Sequence, residues 1–163
     1  MIFLAVNTPT KQSGEGKGMA ADLTNIEKCA KTISEVANQD KIIIEKSTLP
    51  VRTAEKLKQI LTSNNNDIKF EILSNPEFLR EGSAIFDFFN PDRIVIGGSN
   101  QNKINILLNL YKEFNCEFII TDSVSSQLIK YLANTYLPLR LSFVNEASRL
   151  ASYSNANLED VLK

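Results

Sequence analysis

The sequence predicts an α/β fold built on a largely parallel sheet with helices on both of its faces. Three observations carry that prediction. Short apolar runs alternate with stretches of helical periodicity along the whole chain. The runs are continuously apolar instead of alternating with polar residues, as strands buried on both faces require. Several of them end in compact clusters of Asn, Ser, Thr and Pro, the turn chemistry that closes a strand.

The elements follow in order. Met1–Val6 reads as a strand that ends at the turn Asn7-Thr8-Pro9-Thr10. Gly14, Gly16 and Gly18 lie in a polar loop, after which Asp22 is placed to cap a helix striped by Leu23, Ile26, Ala30, Ile33 and Ala37. Ile42–Ile44 is a short β-branched strand, followed by Ser47-Thr48-Leu49-Pro50 and a helix carrying Ala54, Leu57 and Leu61. Phe70–Leu73 is the third strand and stops at Asn75-Pro76. If Pro76 opens a helical turn, Glu77 and Glu81 project from one face of it.

Ala84–Phe89 reads as a short helix halted by Asn90-Pro91, and Arg93–Ile96 as a strand closed by Gly97-Gly98. Ile104, Leu107, Leu108 and Tyr111 mark another helix, and Phe118–Ile120 a final strand. From Ser123, helical periodicity continues through Leu128, Leu132, Leu139, Phe143, Ala147 and Leu150, crossing Pro138, which should kink or divide the helix. Asn157 is placed to cap Leu158–Leu162. The helix from Ser123 is too long for a crossover and is expected to pack against a second domain or subunit. These boundaries divide the chain into residues 1–121, carrying the sheet, and 122–163, carrying the long helix.

Bulk properties narrow the function. At 163 residues the chain is one domain, or one domain and the start of another. An apolar fraction of 43% with 23% charged residues is ordinary for a globular core. A net charge of −1 and a pI of about 5.6 argue against a nucleic-acid partner. No apolar run approaches the ~20 residues that span a bilayer, and no charged-then-apolar leader opens the chain, so a cytoplasmic protein without a membrane partner is expected. Cys29 and Cys116 fit neither a metal pattern nor a disulfide framework and read as packing residues. Histidine is absent, so acid–base chemistry falls to Asp, Glu, Lys, Tyr, Cys or a held water, and no metal site is expected. An opening strand with nothing before it to cover its faces, and a last helix with no room to finish, read as the ends of a piece of a longer protein.

Three clusters stand at the ends of strands: Asn7-Thr8-Pro9-Thr10, Ser47-Thr48 and Asn75-Pro76-Glu77. In a parallel sheet these ends share one edge, where open α/β folds place their ligands. Turn and cap chemistry accounts for each cluster taken singly; their common position favours a polar site. Lys130 and Asn134, four apart on the long helix, share a face bordered by Leu128, Tyr131 and Leu132. There an ammonium can stabilise an oxygen gaining negative charge, although a snorkelling surface lysine also fits that pattern.

Taken together, these motifs resemble the UDP-glucose/GDP-mannose dehydrogenase family, and within it the UDP-glucose dehydrogenases. The resemblance rests on Val6–Lys11, Gly16-Lys17-Gly18 with Ala20–Leu23, Glu45–Arg52, Ser74–Gly82, Asn90–Gly98 and the Lys130/Asn134 pair, in the family's order along essentially the whole chain. It implies a Rossmann-like, doubly wound sheet followed by a long central helix, with residues 1–121 as the second half of the NAD-binding domain, its first βαβ unit missing, and residues 122–163 as the start of the central helical, dimerising region. It also implies NAD as cofactor, bordered by Val6, Asn7, Thr8, Pro9, Thr10, Ser47, Thr48 and Leu49 and contacted by Glu81. The substrate would be a UDP-sugar whose primary alcohol is oxidised twice, through an aldehyde and a thioester, to UDP-glucuronate.

By the same resemblance Thr48 helps hold a catalytic water and Glu77 is the general acid/base. Lys130 stabilises the alkoxide and oxyanion, and Asn134 positions a sugar hydroxyl or water. Glu77, Phe78, Leu79, Arg80 and Glu81 line the sugar site with Lys130 and Asn134. The family's Gly-x-Gly-x-x-Gly turn, its nucleophilic cysteine and its uridine-binding segment have no counterpart in these residues, so the isolated chain is expected to be inactive. GDP-mannose or a UDP-acetylaminosugar are alternative substrates. Pairing of two copies through the long helix is expected, and a non-catalytic dimerisation module is the reading from a different class.

Overall fold

A computed structural model of the chain describes residues 1–63 and 67–161. Five strands, β1 (Ile2–Leu4), β2 (Lys41–Glu45), β3 (Phe70–Ser74), β4 (Arg93–Gly97) and β5 (Glu117–Thr121), form one sheet in the order β1-β2-β3-β4-β5. The helices are α1 (Thr24–Val36), α2 (Thr53–Leu61), α3 (Ala84–Phe89), α4 (Gln101–Leu110), α5 (Ser123–Ser154) and α6 (Leu158–Val161).

β1, β2 and β3 run parallel, with Ile2 beside Ile43 and Ile43 beside Ile72, and α1 and α2 make the crossovers. β4 and β5 are likewise parallel, joined by α4. The two parallel groups meet in a single antiparallel contact, Ser74 opposite Gly97. The sheet is therefore mostly parallel and Rossmann-like.

Alternate strand residues face opposite layers. On one side Leu4, Ile43 and Phe70 pack with Ile26, Ala30 and Ile33 of α1 and Leu57 and Leu61 of α2. On the other, Ile42, Ile44, Leu73, Ile94 and Ile96 pack with Ile104 and Leu107 of α4 and with Tyr111. Each fully buried aliphatic side chain here contributes ~1.5–3 kcal/mol from burial alone. Cys29 and Cys116 are free thiols packed against these two layers.

Three local expectations change. Asp22 does not occupy the cap position; α1 starts at Thr24, whose amide donates to Asp22 Oδ1 at 2.9 Å. Pro76 opens no helix, and residues 75–80 are irregular. α5 is not divided at Pro138. The expected end of α6 at Leu162 lies outside the described residues.

The chain forms two units, Met1–Lys130 and Tyr131–Lys163. The first holds the sheet and the opening turns of α5. Those turns press on the end of β4, where a β-carbon at Gly97 would stand 2.5 Å from Ser126 Cβ, so only glycine fits. In the second unit, Asn157 Oδ1 accepts from the Glu159 amide at the start of α6, and Leu137, Leu139, Leu141, Phe143 and Leu150 are exposed. Among the described residues no helix is long and apolar enough to cross a membrane, and no cluster of His, Cys, Asp or Glu could hold a metal.

Candidate functional site

Because β1, β2 and β3 are parallel, their carboxyl ends share one edge, and the polar clusters meet there. Thr8 Oγ1 donates to the Thr48 carbonyl at 3.0 Å, and Ser47 Oγ donates to the Val6 carbonyl at 2.5 Å. The segment after β1 is thereby tied to the segment after β2. Thr48 Oγ1 then donates to Glu77 Oε1 at 3.0 Å, which brings in the segment after β3.

Lys130 completes the cluster from α5. Its side chain is 7% exposed, and its ammonium lies 3.4 Å from Glu77 Oε1 and 5.2 Å from the centre of the Phe78 ring. Glu77 Oε1 thus has two partners. Oε2 is buried and has none, although Glu77 as a whole keeps 27% of its side-chain surface. A buried carboxylate oxygen without a donor is costly in a finished fold and useful where a proton must be accepted.

Three hydrogen bonds, made by two side chains, hold α5 in register for this contact. Ser126 Oγ donates to Ser74 Oγ at 3.0 Å, at the end of β3. Gln127 Nε2 donates to Glu45 Oε2 at 2.9 Å, at the end of β2. Gln127 Oε1 accepts at 2.8 Å from the amide of Arg52, whose left-handed backbone (φ 72°) leads into α2. Glu45 is almost wholly buried, and desolvation lifts its carboxyl to about 7 despite the bond from Gln127.

The loop carrying Glu77 hangs on Asn75, which is fully buried. Its amide N–H donates to the Glu45 carbonyl and its Nδ2 to the Val95 carbonyl, at 2.9 and 2.8 Å. Its Oδ1 accepts from the Tyr111 hydroxyl at 2.7 Å and from Lys46 Nζ at 3.2 Å. The side chain is therefore spent on Val95 of β4, on Tyr111 just after α4 and on Lys46 just after β2, and cannot cap amides of a following helix. This explains why residues 77–81 do not form the expected turn and why Glu77 and Glu81 do not share a helical face.

The remaining site residues fall in different places. Arg80 turns to α3: its Nε and Nη2 donate to Asp87 at 3.1 and 2.6 Å, and its backbone amide donates at 2.9 Å. Those bonds, led by the Arg80 side chain, hold Asp87 well below the usual carboxylate range. Phe78 also carries the Arg93 guanidinium, 4.7 Å from its ring centre. Leu79 is partly exposed and Glu81 is exposed. Leu49 is buried in the core with Leu57. Asn7 bonds Asn25 through its Oδ1, and Pro9 and Thr10 are exposed along the carboxyl edge. Asn134 belongs to the second unit.

Sequence reasoning missed Glu45, Lys46 and Gln127 as parts of this arrangement. The one available signal was a pair of charges, Glu45-Lys46, closing an otherwise apolar strand. Burial and the like charge of Lys130 bring Lys46 down to about 8, with desolvation the larger cause and Glu77 opposing it.

The edge fits a dinucleotide. Two adjacent parallel strands, β1 and β2, end there, and their following segments are tied together through Ser47 and Thr8, at the edge where doubly wound folds hold a dinucleotide.

Comparison with known proteins agrees. The sequence model described as "UDP-glucose/GDP-mannose dehydrogenase family, NAD binding domain" matches residues 1–115. UDP-glucose 6-dehydrogenase 1 of Glycine max is 48% identical over 99% of this chain and 35% of its own length. Among solved structures, a UDP-glucose dehydrogenase from Pyrobaculum islandicum superposes with a TM-score of 0.88 at 35% identity, covering 98% of this chain and 37% of the other. A GDP-mannose dehydrogenase from Pseudomonas aeruginosa gives a TM-score of 0.88 at 25% identity, covering 99% and 38%. The chain thus spans about a third of the length of the relatives it matches. It belongs to the UDP-glucose/GDP-mannose dehydrogenase family, and its residues 1–115 match that family's NAD-binding domain.

Proposed function

We propose that the chain supplies the NAD-facing half and the acid–base centre of a UDP-glucose dehydrogenase, which converts UDP-glucose to UDP-glucuronate with two NAD reduced. The observation that carries this reading is the convergence of Thr48 and Lys130 on one oxygen of Glu77 while the other stays buried and open. Val6 to Thr10 and Ser47 to Leu49 border the dinucleotide, and Glu81 approaches it from the loop. NAD, when bound, accepts the hydride from the sugar carbon.

Glu77 accepts the proton of the alcohol, or of a water held with Thr48, at Oε2. Lys130 stands on the opposite oxygen and stabilises negative charge on the sugar oxygen. The family likeness gives Asn134 the orienting of a hydroxyl or water. Phe78, Leu79 and Arg80 present the loop backbone to the sugar. The thioester step needs a nucleophilic cysteine, and Cys29 and Cys116 are packed in the two apolar layers instead. The isolated chain is therefore expected to show no turnover. The exposed leucines of the second unit support pairing of two copies, which light scattering in solution measures.

A chimera tests the assignment. With this chain in place of the matched segment of the soybean relative, UDP-glucose should be oxidised faster than GDP-mannose or a UDP-acetylaminosugar, read as NADH absorbance. Preference for either alternative would move the substrate assignment to that sugar. A correctly folded chimera inactive on all three would favour a module that serves only in dimerisation.

A further inference from the structure

Glu45 closes β2 and anchors both halves of the acid–base pair. Its carbonyl accepts from the amide of Asn75, two residues before Glu77, at 2.9 Å. Its Oε2 accepts from Nε2 of Gln127, three residues before Lys130 on α5, at 2.9 Å. The loop that carries Glu77 and the helical turn that carries Lys130 are therefore hung on one residue. Glu45 is 1% exposed, and its Oε1 is buried with no hydrogen-bond partner among the described residues.

A carboxylate in this position is costly, because no cation neutralises it. β1 sets Leu4 beside it and β3 sets Ser74. The charged side chains on the surrounding segments are Lys46, Arg52, Glu77 and Lys130, and among the described residues none forms an ion pair with Glu45. Gln127 has no freedom to adapt. Its Oε1 is committed to the Arg52 amide at 2.8 Å, so its Nε2 must face the carboxyl. Ionised, Glu45 receives a charge-assisted bond, roughly twice as strong as the neutral one left after protonation. Burial brings that ionisation to about 7, so both forms are present near neutral pH. The charged form grips α5 harder although it costs the fold more, an opposition common where activity needs a strained group.

We propose that Glu45 is a positioning residue for the Glu77–Lys130 pair: its carboxylate, acting through Gln127, holds the turn of α5 that aims Lys130, and its protonation loosens that aim. The effect on rate rests on the dehydrogenase reading; the response of Lys130 does not. Turnover should fall as Glu45 gains its proton, with KM for UDP-glucose little changed.

In the chain labelled with ¹³C-lysine, the Cε signal of Lys130, identified by its loss in Lys130→Met, is followed by NMR from mildly acid to mildly alkaline pH. A step centred at about pH 7 is expected, absent in both Glu45→Gln and Gln127→Met. Steps due to Glu77 or Lys46 survive both substitutions. The proposal is overturned if the unaltered chain shows no such step, or if the step persists in Glu45→Gln. Persistence in Gln127→Met overturns it equally, since the charge would then act through space. Should Gln127→Met not fold, the isosteric Glu45→Gln decides. In the soybean chimera kcat should fall about threefold or more across the same step at little-changed KM, and Glu45→Gln should flatten that fall. A merely structural Glu45 would move thermal stability and leave this profile as it is. A chimera with no turnover at all would count against the dehydrogenase reading, with the lysine titration still deciding this one.

Discussion

The segment from Glu77 to Asp87 makes two ion pairs of opposite construction. Arg80 and Asp87 form the outer one, where three donors from one residue meet both oxygens of the carboxylate and Ser83 adds a fourth. Nothing on Asp87 is left over, and the guanidinium side is 76% exposed. Glu77 and Lys130 form the inner one, at 3.4 Å, with the lysine side chain 7% exposed and one carboxylate oxygen buried without a donor. The first arrangement fastens a loop to a helix. The second leaves a polar atom unmatched, which a fold tolerates where chemistry uses it. The two pairs lie close together in sequence, so the difference comes from what surrounds each carboxylate.

The first contrast separates the two pairs by rate. In the soybean chimera, Lys130→Met removes the ammonium beside Glu77 Oε1 and is expected to lower turnover by about 10²- to 10³-fold, as loss of one oxyanion-stabilising donor does. Arg80→Gln loosens the fastening of the loop and should lower turnover by less than about tenfold. Equal losses in both variants would mean that the inner pair is only a fastener.

A second contrast concerns pH. Burial holds the Glu45 carboxyl at about 7, above its ordinary 4.5. A raised acid stabilises the fold fully below the unfolded value and loses that contribution as pH climbs through the folded one. Stability should therefore fall by roughly 3 kcal/mol between pH 4.5 and pH 7 from this group. Glu45→Gln should flatten that slope in denaturant unfolding, and a slope unchanged in the variant would assign it elsewhere. Asp87 has the opposite sign: its lowered value contributes above the unfolded 3.8 and is lost as pH falls further. The thermal midpoints of Asp87→Asn and of the unaltered chain should accordingly converge at strongly acid pH.

The smallest effect sharpens the role of Asn75. Tyr111→Phe removes one of two donors to Asn75 Oδ1 and should cost about 0.5–1.5 kcal/mol in unfolding free energy. A larger loss would give Tyr111 a greater share of the loop's support than Lys46.

How much of this was legible in the sequence follows from the reach of each interaction. The strands at Ile42–Ile44 and Phe70–Leu73 and their shared polar edge could be read, because a continuous β-branched run and the turn after it are local. The irregular course of residues 75–80 could not, because it depends on Asn75 meeting Tyr111, 36 positions away, and Lys46, 29 positions away. Gln127 was equally silent, since nothing local marks a helix glutamine as the partner of a strand glutamate 82 positions earlier. Gly97 was read as the end of a strand, and it is that; the structure adds the close approach of Ser126 that forbids a side chain there.

The most direct measurement is steady-state NADH formation by the soybean chimera carrying Glu77→Gln, an isostere that keeps the Thr48 bond and gives up the open carboxylate oxygen. Turnover lower by about 10²- to 10⁴-fold at little-changed thermal stability is the expected result. A chimera that runs at full rate without that carboxylate would contradict the placing of the acid–base centre at Glu77.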